Sequence, residues 1–169
     1  MYIEGKYWNN LIGDSDDSLT LISYLVDKQK ENITLSEIFS DIGLDNLNRD
    51  FRTHEEPLTT VLKNGDSEVD EPYIEFYYAI TVITDLAALL LECVKSGVVD
   101  LCELSGEDLE SPVTKICITA SKAEHQMINE ALKAFVANPL DYDLSDMCPQ
   151  NEMQEMAAIC ENLRQELYG

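Results

Sequence analysis

The sequence predicts a mainly α-helical fold, namely a compact helical domain with a long central helix and a small β-hairpin. Three observations lead to this prediction. A chain of 169 residues suits a single domain, residues 1–169, with a core of its own. Its hydrophobic content of 45% is too high for a disordered acidic chain. Its apolar residues recur mostly at helical spacing and alternate in only one stretch.

Capping signals mark the ends of the shorter predicted helices. One of Asp14, Ser15 and Asp16 is expected to cap the first helix, with Asp17 at its positive end and an apolar face that continues to residue 26. The other predicted starts are the capping boxes Thr34/Glu37 and Ser121/Glu124, and Asn151; the predicted stops are Gly43 and Asn138-Pro139.

Residues 72–97 predict the long central helix. Pro72 and Gly97 stand where helices favour proline at their start and glycine after their end. The segment is apolar enough to be compared with a membrane span, but its polar residues recur at helical spacing. We therefore expect a helix of a soluble core with one polar stripe that faces solvent or a neighbouring helix end, made of Thr81, Asp85, Ala88 and Glu92. The tyrosines and β-branched residues leave a strand at 73–84 as the alternative.

The β-hairpin is predicted in the second half of the chain. Val98–Leu104 and Val113–Thr119 carry β-branched residues in partial alternation, and the turn-like SGEDLESP separates them. Residues 44–71 contain Pro57 and Asn64-Gly65, which predict an irregular connection with one short element at Leu58–Leu62.

Charge is the main functional signal. Lys and Arg number 11 against 33 Asp and Glu, so the formal net charge is −22. Such a charge opposes binding to nucleic-acid phosphates and to anionic membranes, and it accelerates encounter with a basic protein. The first residues contain no signal peptide, and the five cysteines suit reduced thiols better than disulfides. Both observations predict a cytoplasmic protein.

No motif predicts a metal, a cofactor or a catalytic residue. An EF-hand loop starting at Asp14 would need glycine and glutamate where the chain has Leu19 and Leu25. The only histidines are His54 and His125, so a nucleophile–histidine pair would have to be assembled from distant segments. We therefore expect a binding protein and not an enzyme.

The N-terminal quarter resembles the opening of bacterial immunity proteins paired with contact-dependent growth inhibition toxins, especially the type that neutralises EndoU-like ribonucleases. The resemblance lies in Tyr7-Trp8, Ile12-Gly13, Asp16–Leu21, Tyr24-Leu25 and Thr34–Phe39. It implies a cytoplasmic antidote that binds its toxin and covers the toxin's active site without a reaction of its own. The charge leads separately to a basic partner, which we expect to be a single nuclease domain bound 1:1.

Three acidic regions are the predicted contacts with the toxin. They comprise Asp14, Asp16 and Asp17; Asp66, Glu68, Asp70 and Glu71; and Asp141, Tyr142, Asp143 and Asp146, with the tyrosine as an anchor. No basic residue occurs between Lys63 and Lys95, or between Lys133 and Arg164.

Two other functions are compatible with parts of the sequence. An acidic protein could regulate a basic protein by imitating nucleic acid, and would then bind many such proteins. Asp17-Ser18-Leu19 is also the tripeptide around the modified serine of carrier proteins, which would make Ser18 the site of phosphopantetheine attachment.

Overall fold

A long helix lies at the centre of a mixed helix-and-strand structure. The computed structural model describes residues 1–47, 49–53, 58–62 and 73–169. Its helices are α1 (Asp16–Lys28), α2 (Leu35–Ile42), α3 (Ala79–Ser96), α4 (Leu101–Ser105), α5 (Lys122–Ala137) and α6 (Gln150–Tyr168). Its strands are β1 (Asn32–Thr34), β2 (Leu58–Val61), β3 (Tyr73–Phe76), β4 (Val99–Asp100) and β5 (Lys115–Thr119). Single 3-10 turns occur at Leu44–Leu47, Pro139–Asp141 and Asp143–Asp146.

The central helix is α3, and it packs against α1, α5, α6, β4 and β5. Every residue from 79 to 92 is buried, which explains why its apolar residues run almost without interruption. Gly97 ends the helix with a φ of 83°, as its position in the sequence predicts. Within the described residues, no helix is both long and apolar enough to cross a membrane.

The prediction of a mainly α fold with one hairpin is wrong, because 58% of the structure is helix and 14% is strand in two small sheets. In the larger sheet, β5 lies between β1 and β4. Strand β4 pairs antiparallel with β5, with Val99 opposite Ile116, as the hairpin requires. Strand β1 pairs parallel with the other edge of β5, with Ile33 opposite Ile118. A strand as short as β1 is too brief for an alternating pattern to be recognised.

The predicted strand at 98–104 is mostly helix α4. The Asp100 side chain accepts hydrogen bonds from the N–H groups of Cys102 (3.0 Å) and Glu103 (3.3 Å), which makes it the N-cap of this helix. The pair β4 and β5 is therefore connected through a helix, where the sequence predicted only a turn.

The second sheet pairs β2 with β3 antiparallel, with Leu58 opposite Phe76. The side chains of Leu58 and Phe76 are buried. Strand β2 confirms the short element predicted at 58–62. The start of the central helix was predicted too early, because Tyr73–Phe76 is strand and α3 begins at Ala79. The alternative of a strand at 73–84 is correct only for its first four residues.

The predicted caps are mostly confirmed. Ser15 is the N-cap of α1 and forms a reciprocal pair with Ser18. Ser121 and Glu124 form the predicted capping box of α5. The Thr34 side chain caps α2, but Glu37 reaches Lys28 (2.6 Å) and Lys30 (2.8 Å) instead of closing the box.

The polar stripe of α3 holds the N-terminal segment, whereas the sequence predicted that it faces solvent or a helix end. Glu92 accepts hydrogen bonds from the N–H groups of Tyr2 (3.3 Å) and Ile3 (3.0 Å). Asp85 accepts one from the N–H of Gly13 (3.0 Å). Both carboxylates are nearly inaccessible to water. Residues 1–13 are thereby fixed along one side of α3.

Candidate functional site

The three N-terminal aspartates have different surroundings. Asp14 and Asp16 are exposed on either side of the capping residue Ser15. Asp17 is 2% exposed, and its carboxylate accepts hydrogen bonds from the N–H groups of Tyr77 (2.8 Å) and Tyr78 (3.0 Å). These two N–H groups directly precede the first turn of α3. The N-cap residue of α3, Tyr78, makes no capping hydrogen bond with its own side chain, so Asp17 caps the helix in its place. Asp17 therefore holds the start of α3, and its carboxylate is nearly inaccessible to a partner in this fold.

The loop between α5 and α6 exposes only part of its predicted set. Asp141 and Asp146 are exposed and Asp143 is half-buried. Tyr142 is 5% exposed and packs edge-on against Phe135, with the ring centroids 5.0 Å apart. It stabilises the loop from inside and cannot serve as an exposed anchor.

Segments from two of the three predicted acidic regions line one cavity of about 240 Å³. Asp14 and Ser15 line it just before and at the cap of α1, Leu144 and Cys148 line it from the loop between α5 and α6, and α3 contributes further lining residues. The remaining lining residues come from the segment before α1, from α3 and from α6: Leu11, Gly13, Thr81, Thr84, Asp85, Glu152, Met153 and Met156. The fold thus unites acidic segments that are more than a hundred residues apart.

Two exposed carboxylates, Asp14 and Glu152, line this cavity, and two more, Asp16 and Asp146, adjoin lining residues in the chain; we call these four the acidic face. Asp16 follows the lining residue Ser15, and Asp146 lies between the lining residues Leu144 and Cys148. Asp141 belongs elsewhere, because it lines a separate depression with Arg49 and Arg52.

The acidic face changes the ionisation of its neighbours. Burial raises the pKa of the Cys148 thiol, and the charges of Glu152 and Asp14 raise it further. Burial likewise raises the pKa of Tyr78, with added effects from Cys148 and Asp146. The shared cavity lining brings the two segments close enough for their charges to act on each other.

Asp85 lies beneath the cavity and is fully enclosed. Burial raises the pKa of Asp85 to about 7, against the hydrogen bonds from Ser18 and Gly13, which lower it. The negative charges of Asp17 and Asp14 raise it further. Asp85 therefore holds its proton well above the ordinary range of an aspartate.

Exposed apolar side chains adjoin the acidic face. Leu19 is 62% exposed, Tyr77 59% and Met147 72%. Leu19 follows Asp16 by three positions and so shares its side of α1. Tyr77 follows β3 and is held by Asp17 through its N–H, and Met147 is next to Asp146 in the chain. Large exposed apolar residues of this kind are the usual anchors of protein interfaces.

Sequence reasoning missed Glu152, Tyr77 and Met147 as candidates. Glu152 had a readable signal, since it stands in the first turn of a helix near a predicted acidic loop. Tyr77 and Met147 had none, because exposure of a single apolar residue cannot be read from its neighbours. The predicted contacts Asp66, Glu68, Asp70 and Glu71, like His54, lie outside the described residues.

The carrier alternative conflicts with the surroundings of Ser18. Its side chain is 1% exposed and donates a hydrogen bond to Asp85 (2.6 Å). A modifying enzyme could not reach this hydroxyl without displacing the start of α1. His125 bonds through its Nδ1 to the Tyr168 hydroxyl (2.9 Å), and the described residues contain no cluster suited to a metal ion.

Comparison with known families gives one assignment. The model of the family described as Immunity protein 68 matches residues 2–167, which is nearly the whole chain. Comparison with curated proteins and with solved structures gave no significant match. The match extends well beyond the N-terminal quarter that carried the resemblance in the sequence. The chain therefore belongs to the Immunity protein 68 family and is an immunity protein.

Proposed function

We propose that this protein binds one copy of a basic toxin domain, a ribonuclease, in the cytoplasm and covers the toxin's active site, with no reaction of its own. The single observation that supports the proposal best is the acidic face, where Asp14 and Glu152, from distant segments of the chain, line one cavity. Membership of an immunity family supports a toxin as the partner. The net charge supports a basic, RNA-cleaving toxin.

A nuclease needs a positively charged surface for its substrate. An RNA-cleaving domain attracts phosphates with lysine and arginine, so its substrate surface is positive. A partner with a formal charge of −22 is steered toward the same surface. Once bound there, it excludes RNA. Steering accelerates encounter, while the lifetime of the complex depends on buried anchors.

The exposed apolar residues supply such anchors. Tyr77 and Met147 offer large side chains beside the carboxylates, and interface energy is concentrated in a few residues of this type. An interface with these anchors in the middle and carboxylates at its rim would have the usual composition of a specific complex. This distinguishes the proposal from nucleic-acid imitation, which needs carboxylates alone.

A charge-matched pair of variants tests the proposal. The first carries Asp14→Asn, Asp16→Asn and Asp146→Asn on the acidic face. The control carries Glu107→Gln, Asp108→Asn and Glu110→Gln, which are exposed in the segment after α4. Each variant has a net charge of −19, that is −22 + 3. Long-range attraction is therefore equal in both.

The cognate toxin domain is sought in the gene next to that of this chain. Two quantities are measured: the rate at which each variant associates with the toxin domain, and the inhibition of the toxin's RNA cleavage. We expect the acidic-face variant to associate about tenfold more slowly at low salt, and the difference to shrink at about 0.15 M salt. The control should associate only slightly more slowly than the wild type, because it loses long-range attraction but no contact. Equal slowing of both variants would place the contact elsewhere. Equal binding to unrelated basic proteins would favour nucleic-acid imitation.

A further inference from the structure

The cavity beneath the acidic face has the size of a single side chain. Its volume is about 240 Å³. Pockets for drug-sized ligands typically occupy ~300–1,000 Å³, so this cavity is smaller than a usual small-molecule site. It opens between the start of α1 and the segment leading into α6.

The charge around the cavity is of one sign. Asp14 and Glu152 are exposed at its rim, and Asp85 lies beneath. Among the described residues that line it, none is lysine, arginine or histidine. A positive group entering the cavity would therefore meet three carboxyl groups and no repelling cation, whereas an anion would be rejected.

The walls between these carboxyl groups are apolar. Leu144, Met153 and Met156 line the cavity, and Leu11 joins them. Methionine side chains adapt to the shape of a guest because they are unbranched and flexible. An aliphatic stem can lie along such walls while a charged end group reaches the carboxylates, as lysine and arginine side chains do on apolar surfaces.

We propose that this cavity receives one arginine or lysine side chain of the toxin. The inference rests on the proposed function, because it places one contact of that complex. The apolar stem packs on the methionines, and the cationic end pairs with Asp14 and Glu152. Entry of the cation also favours ionised Asp85. Such a buried, charge-paired anchor slows dissociation, whereas the surrounding carboxylates speed association.

A small probe tests the cavity without any toxin. The probe is n-propylguanidinium, which is an arginine side chain cut off at its β-carbon, and n-propylurea is its uncharged counterpart of the same shape. Binding is followed by NMR from the methyl signals of Met153 and Met156. We expect the cation to bind about tenfold more tightly than the urea. Equal binding, or shifts elsewhere only, would overturn the inference.

Variants of the full chain link the cavity to the toxin. Cys148→Phe fills the cavity from its wall without changing charge, and Cys102→Phe is the matched substitution on α4. We expect Cys148→Phe to weaken toxin binding by at least about tenfold through faster dissociation, and Cys102→Phe to have little effect. Thermal unfolding of both variants shows whether each is folded. If Cys148→Phe does not fold, Glu152→Gln with Glu107→Gln as its control replaces it, with the same probe and toxin measurements.

The outcomes separate the two proposals. If the wild type binds and inhibits its toxin but Cys148→Phe or Glu152→Gln does so equally well, the cavity is not the contact and the proposed function stands. If n-propylguanidinium binds selectively but no basic toxin is inhibited, the proposed function fails and the cavity's preference for cations remains.

Discussion

At the scale of single residues, Asp85 is the most deeply buried of the carboxyl groups that the structure describes. It is 1% exposed, lies beneath the cavity, and accepts hydrogen bonds from Gly13 and Ser18. Its pKa of about 7 exceeds the ordinary value of 3.8 for an aspartate. The folded protein therefore retains this proton over a pH range in which the unfolded chain has lost it. This group stabilises the fold at low pH, and its contribution is lost as pH rises toward 7.

Asp85→Asn tests this dependence. The amide can still accept from Gly13 and donate to the Ser18 hydroxyl, so the variant keeps the contacts of protonated Asp85. The wild type loses stability as pH rises and the variant does not. We therefore expect the free energy of unfolding of the variant minus that of the wild type to increase by about 2 kcal/mol from about pH 5 to about pH 8. Urea unfolding at several pH values measures it. A constant difference across this range would contradict the raised pKa.

Gly13 is the residue on which the docking of the N-terminal segment depends. Its φ is +77°, and a β-carbon there would lie 2.2 Å from the Trp8 ring. Gly106 has a similar φ of +71° with no atom within 4 Å of such a carbon. The two glycines share a backbone conformation but differ in the room available for a side chain.

We expect Gly13→Ala to destabilise the protein by at least about 2 kcal/mol more than Gly106→Ala, because only the first must displace a buried aromatic ring. Chemical denaturation of the two variants gives the comparison. Equal losses would mean that the Trp8 contact relaxes at no cost.

At the scale of elements, α3 begins where Asp17 of another helix caps it. The sequence places Pro72 as the start signal, but the structure starts the helix at Ala79, after β3. Asp17 is 60 residues from Tyr77, so no local pattern could show this bond. It also joins the start of α1 to the end of β3, and thereby positions Tyr77 beside the acidic face.

Asp17→Ala and Asp16→Ala separate structure from contact. The first leaves two N–H groups without their partner, each worth ~1–3 kcal/mol when buried, so we expect a loss of about 3 kcal/mol in stability. The second removes an exposed charge and should cost less than about 1 kcal/mol. Toxin association, in contrast, should slow for Asp16→Ala. Comparable stabilities of the two variants would contradict the capping role.

At the scale of the whole molecule, the fold decides which side of an acidic protein can hold a partner. With 33 acidic residues, carboxylates alone do not define a site. The acidic face differs because it combines a cavity with exposed apolar residues. Val94 provides a comparison, since it is as exposed as Met147 but lies in the last turns of α3, at the opposite end of that helix from the cavity.

We expect Met147→Ala to weaken toxin binding by about 1–2 kcal/mol and Val94→Ala to leave it unchanged, since truncating an anchor is costly only inside an interface. Calorimetry with the toxin domain measures both. A larger effect at Val94 would move the interface to the other end of α3.

The sequence by itself determined the net charge, most helix caps and the position of the long apolar helix. Charge is a sum over residues, and the caps at Ser15 and Ser121 are bonds over three positions, so both can be read locally. Only the tertiary structure decided that Asp17 and Tyr142 are buried, that β1 joins β5, and that Asp14 meets Glu152 around one cavity. These features depend on partners far away in the chain, such as Ser18 and Asp85, which are 67 residues apart. Their proximity is a property of packing, and no local pattern contains it.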